Sequence, residues 1–229
     1  DLEFADRTEL LDLSTVIEHK LSELVQSFRV GNAIKKGIPV AIVGQTNAGK
    51  STLLNALLGE ERAIVSDIHG TTRDVIEDTM IINGTTFRFI DTAGIRETAD
   101  AIESIGIQRS YEKLQQADII IWMIDVNQIA ETLKDLGADI LSATTDKHLI
   151  LAINKVDEFS EQITSTIEAE ISQFLSTNNE SISSCLKVET ALLSAKLNKG
   201  VNTRKESLAT SPCIPQCSGD NTIVTNTRH

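Results

Sequence analysis

An aliphatic run, Ile38 to Val43, leads directly into Gly44-Gln45-Thr46-Asn47-Ala48-Gly49-Lys50-Ser51, and a helical stretch, Ser51 to Leu58, follows. No other feature constrains the fold as much. The glycines let backbone N–H groups wrap an anion without Cβ clashes. A helix that begins where the loop ends aims the positive end of its dipole at the same anion. The eight residues therefore read as a phosphate-binding loop (P-loop) placed between a strand and a helix. Lys50 is expected to neutralise the β- and γ-phosphates of a nucleoside triphosphate and the Ser51 hydroxyl to ligate Mg2+, with Asn47, Ala48, Gly49 and Thr52 in the same cradle.

The rest of the chain supplies a sheet to carry that loop. Asp74 to Ile82 alternates roughly, Asn83-Gly84 is a type I′ hairpin signal, and Thr86 to Ile90 returns antiparallel. Asp118 to Asp125 and His148 to Asn154 are continuous apolar runs of the kind buried in a parallel sheet. Helices are expected at 101–116, 129–142 and 161–176, and a last strand within 186–194. Ser/Asn-rich residues 176–184 read as a loop, and from Asn198 onward periodicity is slight. The alternation predicts an α/β fold of the P-loop NTPase (Ras-like) type, with a mixed, mostly parallel sheet and helices on both faces. Ahead of it, Leu10, Leu13, Ile17, Leu21, Leu24 and Phe28 recur at intervals of three and four and predict one helix with an apolar stripe. Asp6 and Glu9 suit its N-terminal capping box and Gly31 its stop. One helix cannot bury its own stripe, so it must pack on something, here or in a further domain.

Two later motifs choose the base. Asn154-Lys155-Val156-Asp157 ends an apolar strand, where α/β sheets form ligand crevices. The Asp157 carboxylate can accept hydrogen bonds from the guanine N1–H and N2–H2 groups. Adenine lacks that donor pair and would leave a buried carboxylate unsatisfied. Ser194-Ala195-Lys196 falls at the end of the last expected strand, where a backbone N–H can meet guanine O6. Two further segments concern the triphosphate. Asp91 of Asp91-Thr92-Ala93-Gly94 sits where a carboxylate would hold Mg2+ through water, and the Gly94 N–H is placed for the γ-phosphate. In Gly70-Thr71-Thr72-Arg73-Asp74 one threonine, Thr72 by expectation, should complete the Mg2+ shell only while the γ-phosphate is present, which is the physical basis of a switch. GTP and GDP are thus the expected substrate and product.

Composition narrows the setting. The 229 residues are 41% hydrophobic but only 3% aromatic, so the core must be mostly aliphatic. The formal charge of −12 argues against direct nucleic-acid binding through a broad basic face; a nucleic-acid role through another domain or partner stays open. Three cysteines, Cys185, Cys213 and Cys217, form no even framework and read as reduced. No His or second Cys pair stands at ligand spacing beside Cys213 and Cys217, so zinc is not expected. No apolar stretch approaches the ~20 residues a bilayer span needs, and no signal-peptide pattern is present. A cytoplasmic protein without membrane contact is expected, and the chain, which opens on Asp1, reads as a piece of something larger.

These five motifs, in this order, resemble the GTPases of the translation-factor-related class. The details resemble the tRNA-modification GTPase family (TrmE/MnmE) further. The likeness rests on Gly-x-x-Asn-Ala-Gly-Lys-Ser, on Ala63 to Asp74, and on Asp91-Thr92-Ala93-Gly94-Ile95-Arg96-Glu97 running to Ile102-Glu103-Ser104-Ile105-Gly106-Ile107. It implies a helical segment at 1–36 belonging to a helical domain, a GTP-binding G domain at 37–200, and a partly irregular 201–229 leading back to the helical domain. Ile95 cannot polarise water, and the resemblance assigns that role to Glu103. It implies K+ beside the phosphates, with Asn47 among its ligands, in place of an arginine finger. It further implies face-to-face homodimerisation of G domains, a flavoprotein partner of the GidA/MnmG type, and tRNA wobble-uridine modification by the full-length protein. The alternative, a ribosome-assembly GTPase of the Era/Der type, shares Gly-Thr-Thr-Arg-Asp but lacks the Ile-Glu-x-Ile-Gly-Ile stretch.

Overall fold

The structure is a computed structural model that describes residues 7–59, 78–90, 114–158, 161–183, 185 and 187–214. A six-stranded sheet in the order β2-β3-β1-β4-β5-β6 carries it. The strands are β1 (Ile38–Gly44), β2 (Asp78–Ile82), β3 (Thr85–Phe89), β4 (Ile119–Asp125), β5 (His148–Asn154) and β6 (Lys187–Leu192). All neighbouring pairs are parallel except β2 with β3. Asn83 and Gly84 both adopt positive φ, 51° and 79°, which is the turn the Asn-Gly dipeptide predicts. The helices are α1 (Arg7–Lys36), α2 (Lys50–Leu58), α3 (Ile129–Ser142), α4 (Glu161–Thr177), α5 (Asn179–Ser183) and α6 (Val201–Ala209).

Residues two apart along a strand face the same way, and the core divides accordingly. Val40, Ile42, Ile119, Ile121, Met123, Ile150 and Ala152 meet Leu53, Leu54 and Leu57 of α2 on one face. Ala41, Val43, Ile120, Trp122, Ile124, Leu149, Leu151 and Ile153 face Ile129 and Leu133 of α3 and Ile167 and Ile171 of α4 on the other. Few aromatics join these layers: Trp122, Phe87 and Phe89 are fully buried, and half-buried Phe174 of α4 meets the Trp122 ring edge-on at 6.3 Å. The α/β fold with helices on both faces of a mostly parallel sheet is therefore present as expected.

Three local expectations need correction. Gly31 does not stop α1; the helix runs on to Lys36 and ends at Gly37, whose φ is +83° and whose N–H reaches the Ala33 carbonyl at 3.0 Å. A lone interior glycine costs about 1 kcal/mol but does not break a helix. Residues 179–183, read as loop, form the single turn α5. The stretch after Asn198 holds α6, whose fully buried side chains among the described residues, Val201 and Leu208, lie two turns apart and so leave almost no periodic signal. Both pack under α2, in the first core layer. The stripe on α1 is exposed as far as the helix is described, from Leu10 at 61% to Phe28 at 72%.

His148 opens β5 and is fully buried, with Nδ1 2.9 Å from the Ser211 hydroxyl and Nε2 3.9 Å from Glu189. Removal from water pushes its pKa down to about 4, against the Glu189 carboxylate, which pulls the other way. The folded value lies below the ordinary 6.5, so as pH falls the unfolded chain takes the proton first. His148 should therefore cost nothing above about pH 6.5 and destabilise the fold progressively down to about 4, by roughly 2 kcal/mol between pH 7 and 5. Urea unfolding followed through Trp122 fluorescence at those two pH values checks this. His148→Gln should flatten the pH slope, and an unchanged slope contradicts the assignment.

Candidate functional site

Three loops leave the carboxyl ends of β1, β5 and β6 on the same edge of the sheet, and one cavity of about 220 Å³ lies among them. Asn47, Gly49, Thr52, Asn154, Lys155, Asp157, Ser194 and Lys196 line it. Five of the six positions named from Asn154-Lys155-x-Asp157 and Ser194-Ala195-Lys196 thus converge with the phosphate-binding loop.

The loop after β1 has the geometry its sequence requires. Gly49 caps α2 with φ +98°, and a Cβ there would run into the Asn154 side-chain nitrogen. Asn47 also takes a positive φ, 62°, a conformation that asparagine tolerates better than most residues. Lys50 folds back along the loop and donates to the carbonyls of Gly44 at 2.8 Å and Gln45 at 2.7 Å. Its ammonium is thereby fixed where α2 begins, beside free-ended helical N–H groups that favour an anion. Ser51 stands in the first turn of α2, half-buried, and Ala48 is buried beneath the loop. From α3 the buried Thr132 hydroxyl donates to the Gln45 side-chain oxygen at 3.2 Å. Sequence reading missed that brace, because a threonine in an amphipathic helix carries no signal of its own.

The Asn154 side chain joins the loops. Its Nδ2 donates to the Ala48 carbonyl at 2.8 Å and its Oδ1 accepts from the Ala195 N–H at 2.9 Å. Ser194 and Lys199 exchange backbone hydrogen bonds of 3.0 and 3.1 Å, which close the Ser-Ala-Lys loop into a compact turn. The Ser194 hydroxyl accepts from Leu197 N at 3.3 Å. The hydrogen bond from Ser194 also holds the Asp157 carboxyl below the usual carboxylate range, with Lys196 and Lys199 adding to the effect. Asp157 itself is exposed at the rim. The expectation of a carboxylate already buried is therefore corrected: the short 3-10 turn Val156–Glu158 leaves it open to solvent, so any penalty for an unmatched base arises only when the base covers it. Lys155, φ +67°, pairs with Asp125 at 2.6 Å. Burial would raise the Asp125 pKa, but the hydrogen bonds from Lys155 and Asn127 outweigh it and hold the carboxyl low.

Thr72, Asp91, Gly94 and Glu103 lie outside the described residues. Of the Mg2+ ligands expected, only Ser51 is described, and its place at the start of α2 beside Lys50 suits a cation bridging phosphate oxygens. Among the described residues no three His, Cys, Asp or Glu side chains cluster as a metal site, and no helix is long and apolar enough to cross a membrane.

A parallel sheet with such loops at one edge defines a nucleotide-binding domain of the P-loop class. The chain belongs to the family of 50S ribosome-binding GTPases, whose family model matches residues 39–155. Over its whole length it is 49% identical to the tRNA modification GTPase MnmE of Phocaeicola vulgatus, of which it covers 43%. It is 50% identical to the tRNA modification GTPase MnmE of Parabacteroides distasonis and covers 47% of that protein. The chain thus spans less than half the length of these curated relatives. Among solved structures, a bacterial selenocysteine-specific elongation factor EF-Sec matches 75% of this chain and 28% of its own, with a TM-score of 0.53 at 21% identity, a likeness of fold. The family likeness read from the motifs is the one the relatives carry, and the chain contains a GTPase domain.

Asn154→Ala removes both bridging hydrogen bonds and leaves the Ala48 carbonyl and the Ala195 N–H without their partner. A loss of about 1–3 kcal/mol in nucleotide-free stability is expected, read by urea unfolding. A change within ~0.5 kcal/mol would show that the loops hold their places without it.

Proposed function

We propose that this chain is the GTP-binding and GTP-hydrolysing unit of a tRNA wobble-uridine modification GTPase, stimulated by K+ and active when two G domains meet face to face. One observation carries the proposal: the Asp157 rim and the Ser-Ala-Lys turn stand across a single cavity from the phosphate loop, as a guanine and its phosphates require. In this reading Asp157 accepts from the guanine N1–H and N2–H2, and the Lys196 backbone N–H is offered to O6, since Asn154 holds the Ala195 N–H. Lys50 neutralises the β- and γ-phosphates, the Gly94 N–H bonds the γ-phosphate, and Glu103 orients the attacking water, through a second water. Water attacks the γ-phosphorus as the bond to the bridging oxygen breaks, giving GDP and phosphate. Ser51, Thr72 and Asp91 would hold Mg2+, which draws charge from the phosphate oxygens. Asn47 would contribute to a K+ site in the position an arginine finger occupies elsewhere.

The whole-length likeness to tRNA modification GTPases supports the larger setting. There the helix at 1–36 belongs to a helical domain, against which the exposed stripe of α1 would pack; α6, with Val201 and Leu208 in the core under α2, stays with the G domain, and the chain after it leads back to the helical domain. The full-length protein would work in the cytoplasm with a flavoprotein partner of the GidA/MnmG type on tRNA, and nucleotide hydrolysis would open and close it.

Single-turnover GTP cleavage tests the catalytic part. Rates should be on the order of a hundredfold higher in K+ than in Na+, since a positive charge at the phosphates is worth that much. Glu103→Ala should slow cleavage on the order of a hundredfold in K+ with little loss of GTP affinity. Equal rates in both ions, with dimerisation confirmed, would remove the K+ site; normal cleavage by Glu103→Ala would remove that residue from the mechanism.

A further inference from the structure

Asp125 ends β4 and pairs in register with Asn154, the last residue of β5. Lys155 follows one step on, in the left-handed backbone region at φ +67°. A lysine held there is strained, and such strain persists only where its surroundings fix it. The fixing contact is visible. The Lys155 ammonium donates to Asp125 Oδ2 at 2.6 Å, while Asp125 Oδ1 accepts from Asn127 N at 3.0 Å and from Asn127 Nδ2 at 3.1 Å. Both carboxylate oxygens are engaged, and the Asp125 side chain is only 13% exposed against 32% for Lys155. The anchor is the more buried of the two.

Lys155 lines the cavity, whereas Asp125 does not. With its charged tip tied back to β4, Lys155 presents its four-carbon stem to the cavity rather than its ammonium. A flat apolar stem between the phosphate loop and Asp157 suits the face of a planar, uncharged ring. An ammonium loose in the same place would instead compete for the Asp157 carboxylate on which base selection depends.

We propose that Asp125 is a positioning residue for nucleotide binding: it fixes the Lys155 ammonium so that the stem forms one wall of the purine site and Asp157 stays free for the base. This rests on the reading that Asp157 and Lys155 bound a guanine site, which it extends to a residue that never touches the nucleotide. Asp125 acts on the base, so the phosphate cradle, braced separately through Lys50 and Thr132, keeps its own affinity.

The test uses the full chain and fluorescent GDP. Asp125→Ala should release GDP about tenfold faster and raise KM for GTP by a similar factor, the size of one charge-assisted hydrogen bond. Turnover at saturating GTP should change less than twofold, and inorganic pyrophosphate should compete as well as it does with the parent chain. Asp125→Asn, which keeps the Asn127 contact and removes only the charge, gives the same pattern in a milder form and serves if the alanine variant folds poorly. In a chain already carrying Lys155→Met, Asp125→Ala should add no further loss. The proposal is overturned if Asp125→Ala and Asp125→Asn bind GDP as the parent does, if pyrophosphate affinity falls in step with GDP, or if the loss persists in the Lys155→Met background. A parent chain that takes ATP as readily as GTP would remove the guanine-site reading itself, whichever way the Asp125 variants behave.

Discussion

The side-chain amide of Asn154 makes two hydrogen bonds, and through them three loops from distant parts of the chain are set at fixed distances. One bond runs to the Ala48 carbonyl, 106 residues away, and the other receives the Ala195 N–H, 41 residues away. Only an uncharged group that both donates and accepts can do this, since the two partners have opposite polarity. Asn154 is 3% exposed, so neither partner can turn to water instead. The bridge also explains why position 49 must lack a side chain: the Asn154 amide occupies the space a Cβ would need.

The bridge is effective because the sheet presents its ends together. β1, β4, β5 and β6 run parallel, so all four stop at the same edge, and every loop that follows them starts there. Two aliphatic layers hold the strands in register from either face, and neither layer reaches into the cavity. Polar chemistry is thus confined to the edge, where the backbone leaves the ladder and its N–H groups are available. Positive φ at Asn47, Gly49 and Lys155 marks the places where the chain turns most sharply to stay close to that edge.

Most of the sheet was legible because β1, β4 and β5 are apolar runs and β2 and β3 flank an Asn-Gly turn, and because the phosphate loop carries its glycines and lysine at fixed spacing; β6, with Lys187, Glu189 and Thr190, was placed only within wider bounds. α3 matches its expected bounds for the same reason: its apolar positions repeat at helical intervals. What escaped had sparse or misleading local signals. Among its described residues α6 buries Val201 and Leu208 fully and Ala209 partly, α5 is a single turn, and Gly31 resembles a helix stop until the continuous helix on either side is seen. In the candidate site, the motif residues Asn154, Asp157 and Ser194 were identifiable by order alone. The Gln45–Thr132 brace and the Asp125–Lys155 pair were not, since each joins residues whose proximity only the fold creates. Asp125 did leave one clue, an acid closing an aliphatic strand at the edge where ligands bind. The openness of Asp157 could not be read from a motif, because exposure depends on how the turn after β5 lies.

Base selection at the rim is the claim on which the functional account turns, and competition binding measures it directly. A fluorescent GTP analogue bound to the chain in Mg2+ buffer should be displaced by unlabelled GTP or GDP at concentrations near its own. ATP should fail to displace it even at a hundredfold excess, the discrimination of about 2–3 kcal/mol that unmatched polar groups impose. Displacement by ATP and GTP at the same concentration would contradict the account.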